Sequence, residues 1–145
     1  MTAVGINGLG RIGRLLARRL YERDDARHAL RLVMCNEVAD VETVVHLMKY
    51  DSTHGRFSYP VVFDKDGLQI ADRPARLTHE TEPSNVLWGD REVDIVIDCT
   101  GTEFTRASAS AHLGNGVSRV LLSQPAGIDV DGTIIWGFMC KRVRD

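Results

Sequence analysis

Thr2-Ala-Val-Gly-Ile-Asn-Gly-Leu-Gly-Arg-Ile-Gly-Arg14 is the stretch that decides the fold. Thr2 to Asn7 is a short apolar run, and it breaks at Gly8-Leu9-Gly10. From Arg11 the period changes: Ile12, Leu15, Leu16 and Leu20 recur at helical spacing up to about Tyr21. A strand that passes through Gly8-x-Gly10-x-x-Gly13 into a helix suits a bound dinucleotide for physical reasons. Gly8 permits the tight turn, Gly10 lets a pyrophosphate approach the backbone, and Gly13 lets helix and strand pack closely. The free N–H groups at the helix start, around Arg11 and Ile12, face the phosphates. Alone, the glycine pattern fits an ordinary strand–helix corner equally well.

The context extends it. A second apolar run, Leu30 to Cys35, ends at Asn36-Glu37, and Val41 to Met48 returns to helical spacing. Glu37 stands about where an acidic residue bonds the adenosine ribose hydroxyls, roughly 20 or more residues beyond the glycines. A carboxylate there repels a 2′-phosphate, and Val38, Ala39, Asp40 and Val41 bring no cation to reverse that preference. NAD is therefore the expected cofactor, rather than NADP.

Further along, Phe57 to Phe63 and Leu68 to Ala71 flank Asp64-Lys65-Asp66-Gly67, a predicted hairpin. Ala75 to Thr78 suits another short strand, followed by a polar loop through Pro83 and a Trp88-Gly89-Asp90 turn. Val93 to Cys99 and Val117 to Ser123 read as buried strands, and Thr133 to Gly137 as a last one. Between them Thr105 to Leu113 reads as a helix, closed by Gly114-Asn115-Gly116. The predicted fold is α/β: a doubly wound, mostly parallel sheet of Rossmann type with an inserted antiparallel hairpin region. Thr100-Gly101 and Ser123 close two of the parallel strands, where ligands of such sheets sit.

Composition narrows the partners. The 145 residues are 43% apolar and 26% charged with a net charge of −2, which gives no basic surface for nucleic acid or an anionic membrane. Arg11, Arg14, Arg18 and Arg19 read mainly as the solvated face of a helix. No run is long enough to span a bilayer. The N-terminus enters a strand directly, with no leader segment expected. Three cysteines, Cys35, Cys99 and Cys140, lack C-x-x-C spacing, and the five histidines lack metal-ligand spacing. A reduced, cytoplasmic protein without a disulfide framework or metal site is expected.

Several stretches together resemble the glyceraldehyde-3-phosphate dehydrogenase family. They are Val4 to Arg14, Lys49-Tyr-Asp-Ser-Thr-His-Gly-Arg-Phe57, Trp88-Gly-Asp90, Asp98-Cys-Thr-Gly101, Ala111-His-Leu113 and Val120-Leu-Leu-Ser-Gln-Pro125. Asn36-Glu-Val-Ala-Asp40 and His46-Leu-Met-Lys-Tyr-Asp51 look closest to its erythrose-4-phosphate dehydrogenase branch. The resemblance implies a homotetrameric, two-domain enzyme that oxidises an aldehyde phosphate through a cysteine thiohemiacetal and hands hydride to NAD. It also implies cofactor contacts at Asn7, Gly8, Gly10, Arg11, Ile12, Gly13, Asn36, Glu37, Thr100, Gly101 and Ser123.

The sequence departs from the family where the chemistry would begin. The nucleophile motif Ser-Asn-x-Ser-Cys-Thr-Thr-Asn and its His partner do not occur. Cys140 lacks the flanking motif, so no catalytic residue is assigned. Met139 and the residues after it fail to match, Thr81 replaces a branch Arg, Leu9 a Phe, and Glu103 an aromatic residue. The expected organisation is an NAD-binding domain over 1–138 and an unmatched polar tail over 139–145, with the catalytic domain absent and the chain inactive alone. Without the helix that the family adds from its far C-terminus, an exposed apolar patch is expected on the sheet or its flanking helices. The alternatives are a non-catalytic NAD-binding or subunit-interaction module and, further off, a Rossmann reductase with another cofactor.

Overall fold

A computed structural model of the chain describes residues 1–135 apart from 66, 103, 104 and 115, with the side chains of 24 and 27 also outside the description. The first half runs β1 (Thr2–Asn7), α1 (Arg11–Glu22), α2 (Asp24–Ala29), β2 (Leu30–Asn36) and α3 (Val41–Lys49). Two short antiparallel strands follow, β3 (Tyr50–Asp51) and β4 (Gly55–Arg56). Then come β5 (Val61–Asp64), β6 (Gly67–Ile70), β7 (Arg73–Thr78), two single 3₁₀ turns, β8 (Ile95–Asp98), α4 (Arg106–Ser110) and β9 (Arg119–Leu122).

Seven strands form one sheet in the order β5-β6-β7-β2-β1-β8-β9. From β7 to β9 every pairing is parallel, while β5, β6 and β7 pair antiparallel. This is the Rossmann-type α/β architecture with its hairpin insertion. The central strands are apolar along most of their length because helices or loops cover both faces. One face packs Leu20, Tyr21, Val44 and Met48 of α1 and α3 against Val4, Ile6 and Leu32. The other packs Trp88, Val93 and Val117 against Ala3, Val33 and Val96. Among the described residues no helix is long and apolar enough to cross a membrane.

Polarity returns at one end of the sheet. β1, β2, β7 and β8 finish on Asn7, Asn36, Thr78 and Asp98, and these four stand opposite one another in register. A row of polar side chains thus crosses the carboxyl edge of the parallel strands, the edge on which ligands of such sheets bind.

The differences from the predicted elements have local causes. Arg14 is half-buried, its Nη1 donating to the Leu9 carbonyl. Arg18 does not lie on a solvated face at all: it is buried, and its guanidinium donates to the carbonyls of Met48, Lys49 and Gly55 beside the Phe57 ring. Ile12, expected on the apolar stripe of α1, is exposed instead. The predicted strand from Phe57 starts only at Val61, because Pro60 has no N–H to give a ladder and the Phe57 N–H donates to Lys49. The Thr105–Leu113 helix keeps five residues, capped by the reciprocal Thr105–Ser108 box. Beyond them Ala111, His112 and Leu113 each bond three residues back, a tighter winding that carries His112 inward. β9 is an edge strand with alternating exposure rather than a buried one, and it leaves Leu121 exposed, as is Leu113. Thr133–Ile135 form no strand; the rest of that predicted strand, with Glu103, Met139, Cys140 and the tail, lies outside the described residues.

Candidate dinucleotide site

The loop after β1 is shaped by contacts that leave no room for side chains at two of its glycines. Gly8 has φ +88°, and a Cβ there would come within 2.9 Å of the Thr100 backbone nitrogen. A Cβ on Gly13 would collide with the Gly8 carbonyl oxygen. Gly10 is the opposite case: a Cβ would meet nothing within 4 Å. Of the three glycines, it alone has open space on its flank.

Gly10 is also the N-cap of α1, and no side chain caps that helix. Its first turn holds no acidic residue, so amides of the first turn and the positive end of the helix dipole remain available to an anion. The loop is tied on both sides. The Gly8 N–H donates to the Asn36 carbonyl (2.8 Å), and the Cys99 N–H donates to the Asn7 carbonyl (2.7 Å). Thr100 and Gly101, the latter at φ +73°, follow at the end of β8. Ser123 follows β9, its N–H on the Asp98 carbonyl. The strand ends thereby bring Gly8, Gly10, Glu37, Thr100, Gly101 and Ser123 to one edge.

Glu37 crosses from β2 to the glycine loop. Its Oε2 accepts the Leu9 N–H at 2.6 Å, and its Oε1 accepts the Ala39 N–H at 3.1 Å. A carboxylate has about four acceptor sites, so two remain for hydroxyl donors. Uncapped helix amides, the open flank of Gly10 and this acid fit the two halves of a dinucleotide: pyrophosphate at the helix, ribose at the acid. The family model for glyceraldehyde 3-phosphate dehydrogenase, NAD binding domain, matches residues 2–106.

The chain belongs to the glyceraldehyde 3-phosphate dehydrogenase family, and NAD is its cofactor. In this NAD-binding domain Asn7 and Asn36 turn their side chains inward, which the sequence does not reveal. Asn36 donates to Asn7 Oδ1 (2.9 Å) and to the Glu80 carbonyl, and its Oδ1 accepts from Thr78 Oγ1 and the Glu80 N–H. That uses both donors and both acceptor sites of the amide. Asn7 donates to Asp98 Oδ2 at 3.1 Å. Both amides are committed within the protein, beneath the loops rather than on them.

Asp98 is the member of this row that carries charge. Burial pushes its carboxyl up, but hydrogen bonds from His112, from the Thr100 backbone and hydroxyl, and from Asn7 outweigh burial and hold it below the usual carboxylate range. The domain's described cysteines are of another kind. Burial pushes the Cys35 thiol up to about 12. It pushes Cys99 up to about 11, against a hydrogen bond with Ser123. Neither is a thiolate near neutral pH, so neither is an activated nucleophile.

His54, which belongs to the motif around Asp51, sits in a turn. Asp51 Oδ1 accepts the N–H groups of Thr53 and His54 and contacts His54 Nδ1 at 3.1 Å. A surface cleft of about 590 Å³ lies between Lys49, Arg56 and Tyr59 and contains none of the strand-end residues.

Proposed function

We propose that this chain is the nucleotide-binding half of a phosphorylating aldehyde dehydrogenase, with NAD held along the carboxyl edge of β1, β2, β8 and β9. The observation that carries the proposal is the Glu37 carboxylate, bonded to the Leu9 N–H of a glycine loop whose helix has no side-chain cap. In this reading Gly8, Gly10, Arg11, Ile12 and Gly13 receive the pyrophosphate and Glu37 the adenosine ribose. Thr100, Gly101 and Ser123 border the cofactor further along the edge. Asn7 and Asn36 act through their backbone and by fixing the loops. NAD, when bound, supplies the hydride acceptor.

The substrate proposed is an aldehyde phosphate, met only together with a catalytic domain that carries the family's Cys and His motifs, which this sequence does not contain. The nucleotide-binding unit is taken to run to residue 138. Asn36-Glu-Val-Ala-Asp40, with Glu37 where the glycolytic branch more often has Asp, and His46-Leu-Met-Lys-Tyr-Asp51 favour the erythrose-4-phosphate branch.

Calorimetric titration of the purified chain tests the cofactor site, with NADP as control. Saturable binding of NAD, much weaker binding of NADP and loss of binding in Glu37→Ala are expected. A folded chain that binds neither nucleotide overturns the proposal. Reduction of NAD by the chain alone with an aldehyde phosphate would overturn its assignment as the nucleotide-binding half.

A further inference from the structure

Five buried side chains join the far side of the domain to the glycine loop. The Trp88 indole N–H donates to His112 Nδ1 at 3.2 Å, and His112 Nε2 lies 2.9 Å from Asp98 Oδ2. The same Oδ2 accepts from Asn7, and Asn7 accepts from Asn36. The other Asp98 oxygen, Oδ1, accepts the Thr100 N–H at 2.9 Å and its hydroxyl at 2.7 Å. His112 is 1% exposed and Trp88 2%, so water does not substitute for these partners.

The direction of the bonds follows from the donors. An indole nitrogen can only donate, so His112 Nδ1 accepts and carries no proton. The ring proton sits on Nε2 and faces Asp98. The indole itself is fixed in place: a Cβ on Gly5 would come within 2.7 Å of its six-membered ring. One oxygen of Asp98 thereby takes His112 and the residue before Gly8, while the other takes Thr100, the residue before Gly101.

We infer that His112, locked by Trp88 as the Nε2–H tautomer, is a positioning residue for the cofactor: through Asp98 it sets the relative placement of the Gly8–Gly10 and Thr100–Gly101 loops. The inference rests on the NAD site proposed above. Among the described residues, the side-chain hydrogen bonds of His112 run to Trp88 and Asp98, so its link to either loop passes through Asp98. Removing its N–H leaves Asp98 Oδ2 with Asn7 alone in a buried setting, where a carboxylate tilts or gains a proton and frees Thr100.

The test combines imidazole nitrogen NMR, backbone amide spectra and NAD titration of the full chain. The wild-type ring is expected to show a protonated Nε2 and a bare Nδ1. His112→Leu, which keeps apolar bulk without the donor, is expected to move the Gly8 and Thr100 amides and to weaken NAD binding about tenfold. His112→Gln, which again offers an N–H toward Asp98, is expected to return both amides and to bind within about threefold of wild type. Trp88→Phe releases the tautomer without touching Asp98. It is expected to move the same amides, and it serves where His112→Leu does not fold. A ring protonated on Nδ1, amides unmoved in a folded variant, or His112→Gln no better than a folded His112→Leu overturns the inference. A wild-type chain that binds no NAD overturns the cofactor site instead, and the amide spectra still decide the role of His112.

Discussion

Gly10 and Gly13 share one turn, yet an added methyl group has opposite consequences at the two positions. At Gly13 it meets the Gly8 carbonyl oxygen. Gly13→Ala must therefore displace backbone at a buried corner, at a cost of about 1–3 kcal/mol in urea unfolding. At Gly10 the backbone is extended with φ −63°, and the methyl meets nothing. Gly10→Ala should unfold within about 0.5 kcal/mol of wild type. The same methyl occupies the flank assigned to the pyrophosphate, so calorimetry should read NAD binding weakened at least about tenfold. A Gly10→Ala chain that binds NAD normally would take that loop out of the site. Asp51 supplies a separate measurement in acid. The N–H groups of His54 and Thr53 lower its carboxyl from an ordinary 3.8 to about 2. Its folded value lies below its unfolded one, so its stabilisation is present above 3.8 and is lost as pH falls toward 2. Thermal melts across that interval should show a shallower acid dependence in Asp51→Asn than in wild type. Parallel curves would assign the dependence to other carboxylates.

Arg18 shows how α1 and α3 are joined. α3 ends at Lys49, and its last carbonyls have no intrahelical partners. The Arg18 guanidinium meets those of Met48 and Lys49 and reaches Gly55 across the β3–β4 turn. Arg18→Met keeps much of the stem and removes the donors, so it should cost about 3 kcal/mol, measured by urea unfolding. A loss under about 1 kcal/mol would mean that water replaces the guanidinium. Four arginines at helical spacing do not reveal in sequence which one turns inward, because the deciding carbonyls belong to α3 and the following loop. Longer apolar periods are legible: they predict β1 at its observed bounds, and α1, β2 and α3 within a residue of theirs at each end. α2 is not legible, since its six residues carry no apolar stripe. The edge position of β9 is likewise a fact of topology, which Val117 to Ser123 does not encode. At the candidate site, the glycine spacing and Glu37 are readable in sequence because they lie within one β-α-β unit. The polar row cannot: Asn7 and Asp98 are 91 residues apart in the chain. Each looks in sequence like the polar residue that ends an apolar run.

The whole domain responds to its cofactor through linkage. A ligand that binds only the folded chain stabilises it by about 2.7 kcal/mol at a free concentration near 100 times its Kd. For a chain of this size that corresponds to a rise of roughly 5–10 °C in the melting midpoint. NAD should produce that rise. NADP at the same concentration should produce much less, because its 2′-phosphate would face the Glu37 carboxylate. The same melts test the polar row in acid. Asp98 is held below the usual carboxylate range, so the contribution of its ionised form is present at neutral pH and is lost as the medium is acidified. Asp98→Asn keeps the shape of the side chain but removes the charge that His112, Thr100 and Asn7 hydrogen-bond. It should lower the midpoint at neutral pH and bring the two proteins closer together in acid. It should also shrink the rise produced by a fixed NAD concentration if the proposed cofactor loops are positioned through the Asn7 and Thr100 hydrogen bonds to Asp98. If Asp98→Asn lowers the midpoint but leaves the NAD-induced rise intact, the row stabilises the sheet edge without setting the cofactor loops. If NADP matches NAD in wild type, Glu37 does not face the ribose.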